Sequence, residues 1–573
     1  MTMINLTIDG KAVSVPKGTT ILEAARQMGI HIPTLCHHPD QLVKAVCRVC
    51  VVEIEGQRTF QTACSYQVAE GMVVRTATPA IREARRMIVE LILSRHPQDC
   101  LQCARNLNCE LQTMAEQMGI REVRFDRKLR DLPVDESSPS IIRDPQKCIL
   151  CRRCVEACHV VQSVGVLYPQ HRGADSIVAT PADLPLGSID CTNCGQCIHA
   201  CPVGAITEKD YTAEVYAAMA DPTKHVVVQT APAVRVAIGE PFGYEPGAVT
   251  TGKLAAALRR LGFDAVFDTD FTADLTILEE GHELIKRLTE GGILPMITSC
   301  SPGWIKFIEH NFPEELDHLS TCKSPQQMFG ALAKTYYAQK MGIDPKNIYS
   351  VSVMPCTAKK FEITRPEMRD SGYQDVDAVL TTRELARMIR QAGIEFVELP
   401  DEEYDDPFGI STGAAVIFGA TGGVMEAALR TAYEVVTKKA LPDLNFRAVR
   451  GMASIKEAEV DLDGIVVRVA VAHGLANARK VMEDVATGRS KYHFIEVMAC
   501  PGGCIGGGGQ PIPTTNEIRQ KRIKGIYQAD EGLPIRKSHE NPAIAKLYED
   551  FLGHPLGERS HHLLHTHYTK RGK

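Results

Sequence analysis

The chain has 573 residues, a net charge of −6 and charged residues of both signs, which make up 23% of the sequence. Its length predicts several domains rather than one core. It has no long basic run interleaved with aromatic residues and no apolar stretch of membrane-spanning length, so we expect neither nucleic acid nor a membrane as a partner. The opening lacks a basic and apolar leader segment, and we expect the chain in the reducing cytoplasm, where thiolates can bind metal.

Most of the cysteines lie in four tight groups. Fifteen of the twenty fall within the first 201 residues, and five lie beyond them: Cys300, Cys322, Cys356, Cys500 and Cys504. A disulfide framework belongs to short secreted chains and is not expected here. Groups this dense indicate iron-sulfur clusters, because these soft centres take thiolate ligands.

The first segment predicts a small β-rich domain over residues 1–78. Residues 4–15 alternate apolar and polar side chains around a turn at Asp9-Gly10, which predicts a β-hairpin. The capping-box pattern Thr20-x-x-Glu23 then predicts a helix. The first cysteine group follows: Cys36, Cys47, Cys50 and Cys64. Strand, strand, helix and cysteine loop in this order resemble the β-grasp ferredoxins that hold a 2Fe-2S cluster.

Residues 79–126 have helical periodicity and carry a histidine ahead of three cysteines. The group reads His96-x3-Cys100-x2-Cys103-x5-Cys109. A lone histidine is usually solvated or packed in a core, but this position favours metal ligation. Zinc is an alternative for this group taken alone. The segment resembles the histidine-ligated 4Fe-4S domain of NADH:quinone oxidoreductase and of multi-cluster hydrogenases.

Residues 139–210 contain two bacterial ferredoxin runs. Each has the spacing CxxCxxCxxxC, and the eight cysteines are Cys148, Cys151, Cys154, Cys158, Cys191, Cys194, Cys197 and Cys201. Zinc does not explain this spacing, whereas in two-cluster ferredoxins the fourth cysteine of each run serves the other cluster. We therefore expect two 4Fe-4S clusters.

The pattern changes to an α/β body over residues 222–515. Short apolar runs at 226–228, 265–267, 293–297 and 349–353 predict buried strands separated by amphipathic helices. Cys300 and Cys356 each follow such a strand. Ligands of these sheets gather beyond the carboxyl ends of the strands, so we look for a functional site there.

Three segments of this body carry the chemistry. They are TSCSPGW at 298–304, MPCTAKKFE at 354–362 and EVMACPGGCIGGGGQP at 496–511. They resemble the three signature motifs of the iron-only (FeFe) hydrogenases, and the upstream modules resemble the large multi-cluster members of that family. The expected fold is therefore a multidomain α+β chain ending in an α/β hydrogenase domain.

The resemblance implies an H-cluster, a 4Fe-4S cluster joined to a two-iron subsite with CO, cyanide and a dithiolate amine. It assigns Cys356 and Cys500 to the 4Fe-4S part and Cys504 to the bridge between the two parts. The wall positions of the family fall on Ala231, Pro232, Gln326, Met354, Lys359 and Met498. Lys359 is placed to donate to cyanide, while methionine side chains adapt around carbonyl ligands and exclude water.

The first motif departs from the family. The usual form has two adjacent cysteines, the first placed for proton transfer and the second a cluster ligand, but here Cys300 is followed by Ser301. Serine is a poor substitute for thiolate. We expect Cys300 and Cys322 to share the roles of fourth ligand and proton relay, in an order that the sequence leaves open. The alternative is that Cys322 only fills space in the core.

The resemblance also implies a proton route. The family's relay falls on Cys300, Glu280, Ser320 and Glu283, whose thiol, carboxyl and hydroxyl groups can pass a proton. Glu280 and Glu283 lie three residues apart in a helical pattern and so share a face. Without the resemblance, such an acidic pair would be read as a solvated surface.

Residues 516–573 resemble the small subunit of these hydrogenases, fused in line. The run Lys537–Pro542 predicts a helix start with serine or asparagine as the cap. Four histidines follow: His561, His562, His565 and His567. No ordered cysteines or carboxylates surround them, so we expect a packed or solvated terminus rather than a metal site.

We find no GxGxxG motif after a strand and no P-loop, so the chain shows no nucleotide or flavin site. The modules resemble the catalytic subunit of NAD(P)-linked, electron-bifurcating hydrogenases, which implies flavin- and NAD(P)-binding and 2Fe-2S partner subunits, and ferredoxin. The implied cofactors are one 2Fe-2S cluster, three 4Fe-4S clusters and one H-cluster, acting on H2 and protons. The alternatives are a stand-alone ferredoxin-dependent hydrogenase and a non-catalytic electron-transfer subunit, which only Ser301 favours.

Overall fold

The computed structural model describes residues 2–462 and 464–571. Within them the chain divides into two compact units. The first runs to His159 and adds Gly165–Ile189 and Cys197–Thr207. The second contains Val160–Val164, Asp190–Gln196 and the described residues from Glu208 onward.

The N-terminal domain begins with the predicted hairpin. Strands β1 (Met3–Ile8) and β2 (Lys11–Pro16) pair antiparallel. Helix α1 (Ile21–Gln27) has the predicted capping box, in which Thr20 accepts from the Glu23 amide and Glu23 accepts from the Thr20 amide. Strands β3 (Val51–Ile54), β4 (Gln61–Thr62) and β5 (Val73–Arg75) complete a sheet of order β2-β1-β5-β3-β4. The β-grasp expectation is confirmed.

The next segments are short helices and strands that carry cysteine loops. In chain order they are α2 (Pro79–Leu93), α3 (Glu110–Gln117), β6 (Ile141–Arg143), α4 (Arg153–Glu156), β7 (Tyr168–Gln170), β8 (Ile177–Ala179), α5 (Gln196–Ala200) and β9 (Ile206–Glu208). His96 and its three cysteines lie between α2 and α3. The loops are long because cluster ligands, rather than regular hydrogen bonding, determine their course.

The α/β body has two sheets. Its strands are β10 (His225–Thr230), β11 (Ala265–Asp268), β12 (Met296–Ile297), β13 (Ile348–Met354), β14 (Ala378–Thr381), β15 (Ile455–Leu462), β16 (Ile465–His473) and β17 (Phe494–Met498). One sheet, of order β11-β10-β13-β14, is entirely parallel. The other has the order β12-β17-β16-β15, with only β15 antiparallel to its neighbour.

Helices cover both sheets and form the tail. They are α6 (Thr212–Ala220), α7 (Thr251–Leu261), α8 (Thr269–Glu290), α9 (Pro302–Asn311), α10 (Pro325–Leu332), α11 (Ala338–Met341), α12 (Ala358–Glu362), α13 (Thr382–Gln391), α14 (Gly413–Val416), α15 (Gly423–Thr437), α16 (Leu475–Ala486), α17 (Asn516–Gly532), α18 (Pro542–Leu547) and α19 (Glu558–Leu564). The N-cap of α18 is Asn541, which is one of the two residues predicted for that position. Parallel strands buried on both faces explain the continuous apolar runs of the sequence.

One predicted strand is shorter than expected. The apolar run at 293–297 contributes only Met296–Ile297 to β12, and Ile293 is 47% exposed. Pro295 interrupts the run because proline has no amide hydrogen to donate to a neighbouring strand. No helix in the described ranges is both long and apolar enough to cross a membrane.

Candidate active site

The first signature segment follows β12, the second begins at the end of β13 and the third at the end of β17, while Ala231 and Pro232 follow β10. Residues of all these segments line one cavity. Its lining residues are Ala231, Pro232, Thr269, Ala273, Cys300, Pro325, Gln326, Met354, Pro355, Cys356, Lys359, Phe418, Met498 and Cys504. All six wall positions expected from the family therefore lie around one space. Thr269, Ala273 and Phe418 carried no motif signal and were not foreseen.

Three of the predicted ligand thiols lie together beside this cavity. Cys356 and Cys504 line it, and Cys500 is close enough for the charges of both to affect its thiol. Burial raises the pKa of Cys356, and it raises the pKa of Cys504 to about 12. Buried thiols of this kind suit a metal cluster, whose iron ions compensate the thiolate charge. The donor set therefore fits the 4Fe-4S part of an H-cluster.

The ammonium group of Lys359 is held in place at the cavity wall. Its Nζ lies 2.9 Å from Glu362 Oε2 and 3.2 Å from the carbonyl oxygen of Cys300. Glu362 Oε2 also accepts from Gln326 Nε2 at 3.0 Å and from Ser324 Oγ at 2.9 Å. Glu362 thus orients two wall residues, a role that sequence reasoning missed although its i,i+3 spacing from Lys359 indicates a contact.

The four residues of the expected proton relay lie near one another. Glu280 and Glu283 both lie on α8, and the Ser320 hydroxyl donates to Glu283 Oε2 at 3.1 Å. Burial raises the pKa of Glu280 to about 8, with a further contribution from the charge of Glu283, while a hydrogen bond with Ser320 acts in the opposite direction. Burial also raises the pKa of the Cys300 thiol, and the charge of Glu280 adds to this. Cys300 thus lines the cavity and lies close enough to Glu280 for that charge to affect its pKa.

Glu283 has further partners that the sequence did not reveal. Arg287 donates to its Oε1 at 2.6 Å, and the Thr321 amide donates to its Oε2 at 3.1 Å. The Thr321 hydroxyl lies 2.7 Å from His565 Nδ1, and His565 Nε2 lies 3.1 Å from Glu279 Oε2. His565 is only 4% exposed, so at least this member of the histidine group is packed rather than solvated.

Cys322 does not reach the cavity. It is 1% exposed, and its Sγ lies 4.0 Å from Glu283 Oε2. The charges that raise its pKa, after burial, are those of Glu283, Glu280 and Glu279 rather than those of cluster thiols. This arrangement does not support Cys322 as a cluster ligand, because its thiol faces the acidic side of α8. Ser301, by contrast, lies beside the third motif, where its Oγ accepts from the Ala499 amide at 3.2 Å.

The first two accessory groups fit the clusters expected of them. The thiols of Cys36 and Cys47 lie close enough to affect each other's pKa, and so do those of Cys50 and Cys64. His96 is 9% exposed, and its Nδ1 is buried without a hydrogen-bond partner among the described residues. Burial lowers the pKa of His96, which favours the neutral imidazole that binds metal.

The first ferredoxin run and the last cysteine of the second run line one cavity. Its lining includes Cys148, Cys151, Cys154 and Cys201. This is the crosswise arrangement of a two-cluster ferredoxin. Of the other four cysteines, Cys158 and Cys197 belong to the first unit, and Cys191 and Cys194 to the second.

Comparison with family models covers most of the chain. The model "Iron only hydrogenase large subunit, C-terminal domain" matches residues 224–508, and "Iron hydrogenase small subunit" matches 516–571. Upstream, "2Fe-2S iron-sulfur cluster binding domain" matches 1–79, "NADH-ubiquinone oxidoreductase-G iron-sulfur binding region" matches 85–124 and "4Fe-4S dicluster domain" matches 147–205.

Relatives extend over the full length. The chain is 54% identical to the NADP-reducing hydrogenase subunit HndD of Solidesulfovibrio fructosivorans, with all of both chains covered. It is 43% identical to iron hydrogenase 1 of Clostridium pasteurianum, covering 99% of this chain and 100% of that one. A more distant relative is cytosolic iron-sulfur assembly component 3 of Rattus norvegicus, at 32% identity over 66% of this chain and 83% of that one.

A solved structure matches the catalytic part. The FeFe-hydrogenase HydA1 from Chlamydomonas reinhardtii is 47% identical, with a TM-score of 0.58, and the match covers 64% of this chain and 100% of that one.

Proposed function

Since this chain belongs to the iron-only (FeFe) hydrogenase family, it is an oxidoreductase acting on H2, and we propose that it does so at an H-cluster held in the cavity at the ends of β10, β13 and β17. The observation that carries the proposal is the cavity itself. It brings Cys356 and Cys504 together with Lys359, Met354 and Met498, although these residues come from distant segments of the chain.

Cys356, Cys500 and Cys504 would hold the 4Fe-4S part, with Cys504 as the residue shared with the two-iron subsite and Ser301 at the fourth position. When bound, the H-cluster supplies the redox chemistry that joins two electrons and two protons as H2. A hydroxyl at the fourth position is a weaker ligand than thiolate, so we expect this corner of the cluster to be the more labile one.

The cavity walls orient the cofactor and exclude water. Lys359, held in place by Glu362, would donate to anionic ligands of the two-iron subsite. Met354, Met498 and Phe418 are apolar and buried, and they keep the space dry. Ala231, Pro232 and Gln326 complete the wall.

Protons move along the acidic side of α8. Cys300 holds a proton on its thiol at the cavity wall, and Glu280 holds the next proton, because its raised pKa keeps a carboxyl protonated near neutral pH. Ser320 passes the proton to Glu283 by exchanging hydrogen bonds. We place Cys322 beside this route as a packing neighbour of Glu283.

We further propose one 2Fe-2S and three 4Fe-4S accessory clusters, bound by the four N-terminal ligand groups. The relative that is 54% identical is named as a subunit of an NADP-reducing hydrogenase, which supports a partner subunit that binds NAD(P). We include flavin-binding and 2Fe-2S partner subunits and ferredoxin in the proposal because the order of the modules resembles that of such multisubunit enzymes. A stand-alone ferredoxin-dependent enzyme is the alternative. We keep a cytoplasmic location as a proposal, because free thiolate ligands persist in reducing compartments.

A second candidate, a cluster scaffold without hydrogen chemistry, is favoured by Ser301 and by the iron-sulfur assembly relative. Iron content and hydrogen turnover separate the two. Matured hydrogenase should hold about twenty irons per chain and evolve H2, whereas a scaffold with only its accessory clusters should hold about fourteen and evolve none. Cys504→Ala is the matched control, since it should keep the accessory iron and lose the rest.

A further inference from the structure

A short segment that carries Cys191 and Cys194 packs directly against the loops of the proposed H-cluster site. The Thr357 hydroxyl donates to the carbonyl oxygen of Asn193 at 2.7 Å. Gln196 Nε2 donates to the carbonyl oxygen of Gly506 at 2.9 Å. Thr357 is wholly buried and Asn193 is 2% exposed, so these bonds form without competition from water.

Two glycines allow this approach. A Cβ atom placed on Gly195 would lie 2.4 Å from Thr357 Oγ1 and 2.9 Å from Gly508 Cα. A Cβ atom on Gly508 would lie 2.4 Å from the carbonyl oxygen of Cys194. Both distances to backbone atoms are shorter than real contacts, so only glycine lets the two backbones touch.

The contact joins ligands of two different cysteine groups. Asn193 and Gly195 flank Cys194, while Thr357 directly follows Cys356. The Sγ of Cys500 lies 4.0 Å from the carbonyl oxygen of Cys194. Thr357 itself is not among the residues that line the catalytic cavity. A change at Thr357 therefore alters the spacing of the two ligand loops without touching the space where hydrogen reacts.

We propose that Thr357 is a positioning residue that fixes the distance for electron transfer between the ferredoxin loop of Cys191 and Cys194 and the loop of Cys356, with Gly195 and Gly508 providing the close backbone contact. This rests on the proposed function, which requires electrons to pass between these groups. Electron transfer slows steeply with distance. Loss of the hydrogen bond between Thr357 and Asn193 should therefore slow electron delivery more than it slows the hydrogen chemistry.

Thr357→Val tests the proposal, because it removes the hydroxyl at nearly constant volume, and Thr357→Ser keeps the hydroxyl. In the cluster-loaded protein, amide hydrogen exchange of residues 190–196, read by mass spectrometry, should be about tenfold faster in Thr357→Val and near wild type in Thr357→Ser. Hydrogen oxidation with a viologen acceptor should fall about tenfold in Thr357→Val, while exchange of D2 with solvent protons stays near wild type.

Gly508→Ala should show the same selective loss, and Gly532→Ala is its control, since a Cβ on Gly532 meets nothing within 4 Å. Unchanged amide exchange in Thr357→Val would overturn the proposal. So would an equal fall of both activities at constant iron content. If the wild type itself catalyses no D2 exchange, the proposed function fails, and the amide exchange of residues 190–196 still decides the positioning role of Thr357.

Discussion

Ser320 and Glu283 are joined by a hydrogen bond in which the serine hydroxyl donates to the carboxylate at 3.1 Å. Ser320 also lies close enough to Glu280 to oppose the rise in the pKa of that carboxyl, so one hydroxyl neighbours two carboxyl groups on the same helix. Both carboxyl groups are buried, at 3% and 8% exposure for Glu280 and Glu283. A hydroxyl between two carboxyl groups can accept a proton from one and donate to the other, which is the connection that a proton route needs.

The first prediction concerns Glu283. Glu283→Gln keeps the size of the side chain but cannot release a proton, so hydrogen evolution should fall by about a hundredfold or more. Iron content should stay unchanged, because Glu283 is not a ligand. Glu290→Gln is the matched control on the same helix, where the carboxylate is exposed. A Glu283→Gln protein with wild-type turnover would remove Glu283 from the route.

The second prediction is a pH dependence. Burial raises the pKa of Glu280 from its ordinary value of 4.5 to about 8. Between these two values the folded chain binds a proton that the unfolded chain has released, so this group lowers stability as the pH rises through that window. Glu280→Gln removes the effect. The unfolding temperature of the variant should therefore rise relative to that of the wild type as the pH increases from 5 to about 8. Parallel curves over this range would show that Glu280 titrates normally.

The sequence predicted those parts of the site that are encoded in short segments. The loops with Cys356 and Cys500 follow apolar strands, and their motifs place them on one edge of the body. His565 and Thr321 are different, because they are 244 residues apart and their contact depends on how the tail packs on α8. The direction of the Cys322 thiol depends on packing in the same way, because sequence gives its neighbours along the chain but not the side on which the thiol lies.

The third prediction concerns the altered first motif. If Ser301 stands at the fourth ligand position, Ser301→Cys should make the cluster more resistant to chelators, and Ser301→Ala should lower its retention. Iron per chain after exposure to a chelator measures both. Cys322→Ala should leave iron content unchanged. Loss of cluster iron in Cys322→Ala, with no loss in Ser301→Ala, would indicate that Cys322 rather than Ser301 is the fourth ligand.

The fourth prediction concerns His96. His96→Ala should remove one accessory ligand and slow hydrogen oxidation with an external acceptor, because electrons pass through the accessory clusters. Exchange of D2 with solvent protons should change little, since it needs protons rather than the accessory clusters. His31→Ala is the control, as His31 is exposed in the first domain. Equal losses in both assays would contradict the separation of electron transfer from hydrogen chemistry.

The central claim is that the cavity around Cys356 and Cys504 holds an H-cluster, and infrared spectroscopy of the matured protein tests it most directly. CO and cyanide ligands absorb in a region where protein does not, so the account predicts these bands in the wild type and their loss in Cys504→Ala. Accessory iron of about fourteen atoms per chain should remain in that variant. A wild-type protein with its accessory clusters intact but no CO or cyanide bands after maturation would contradict the account.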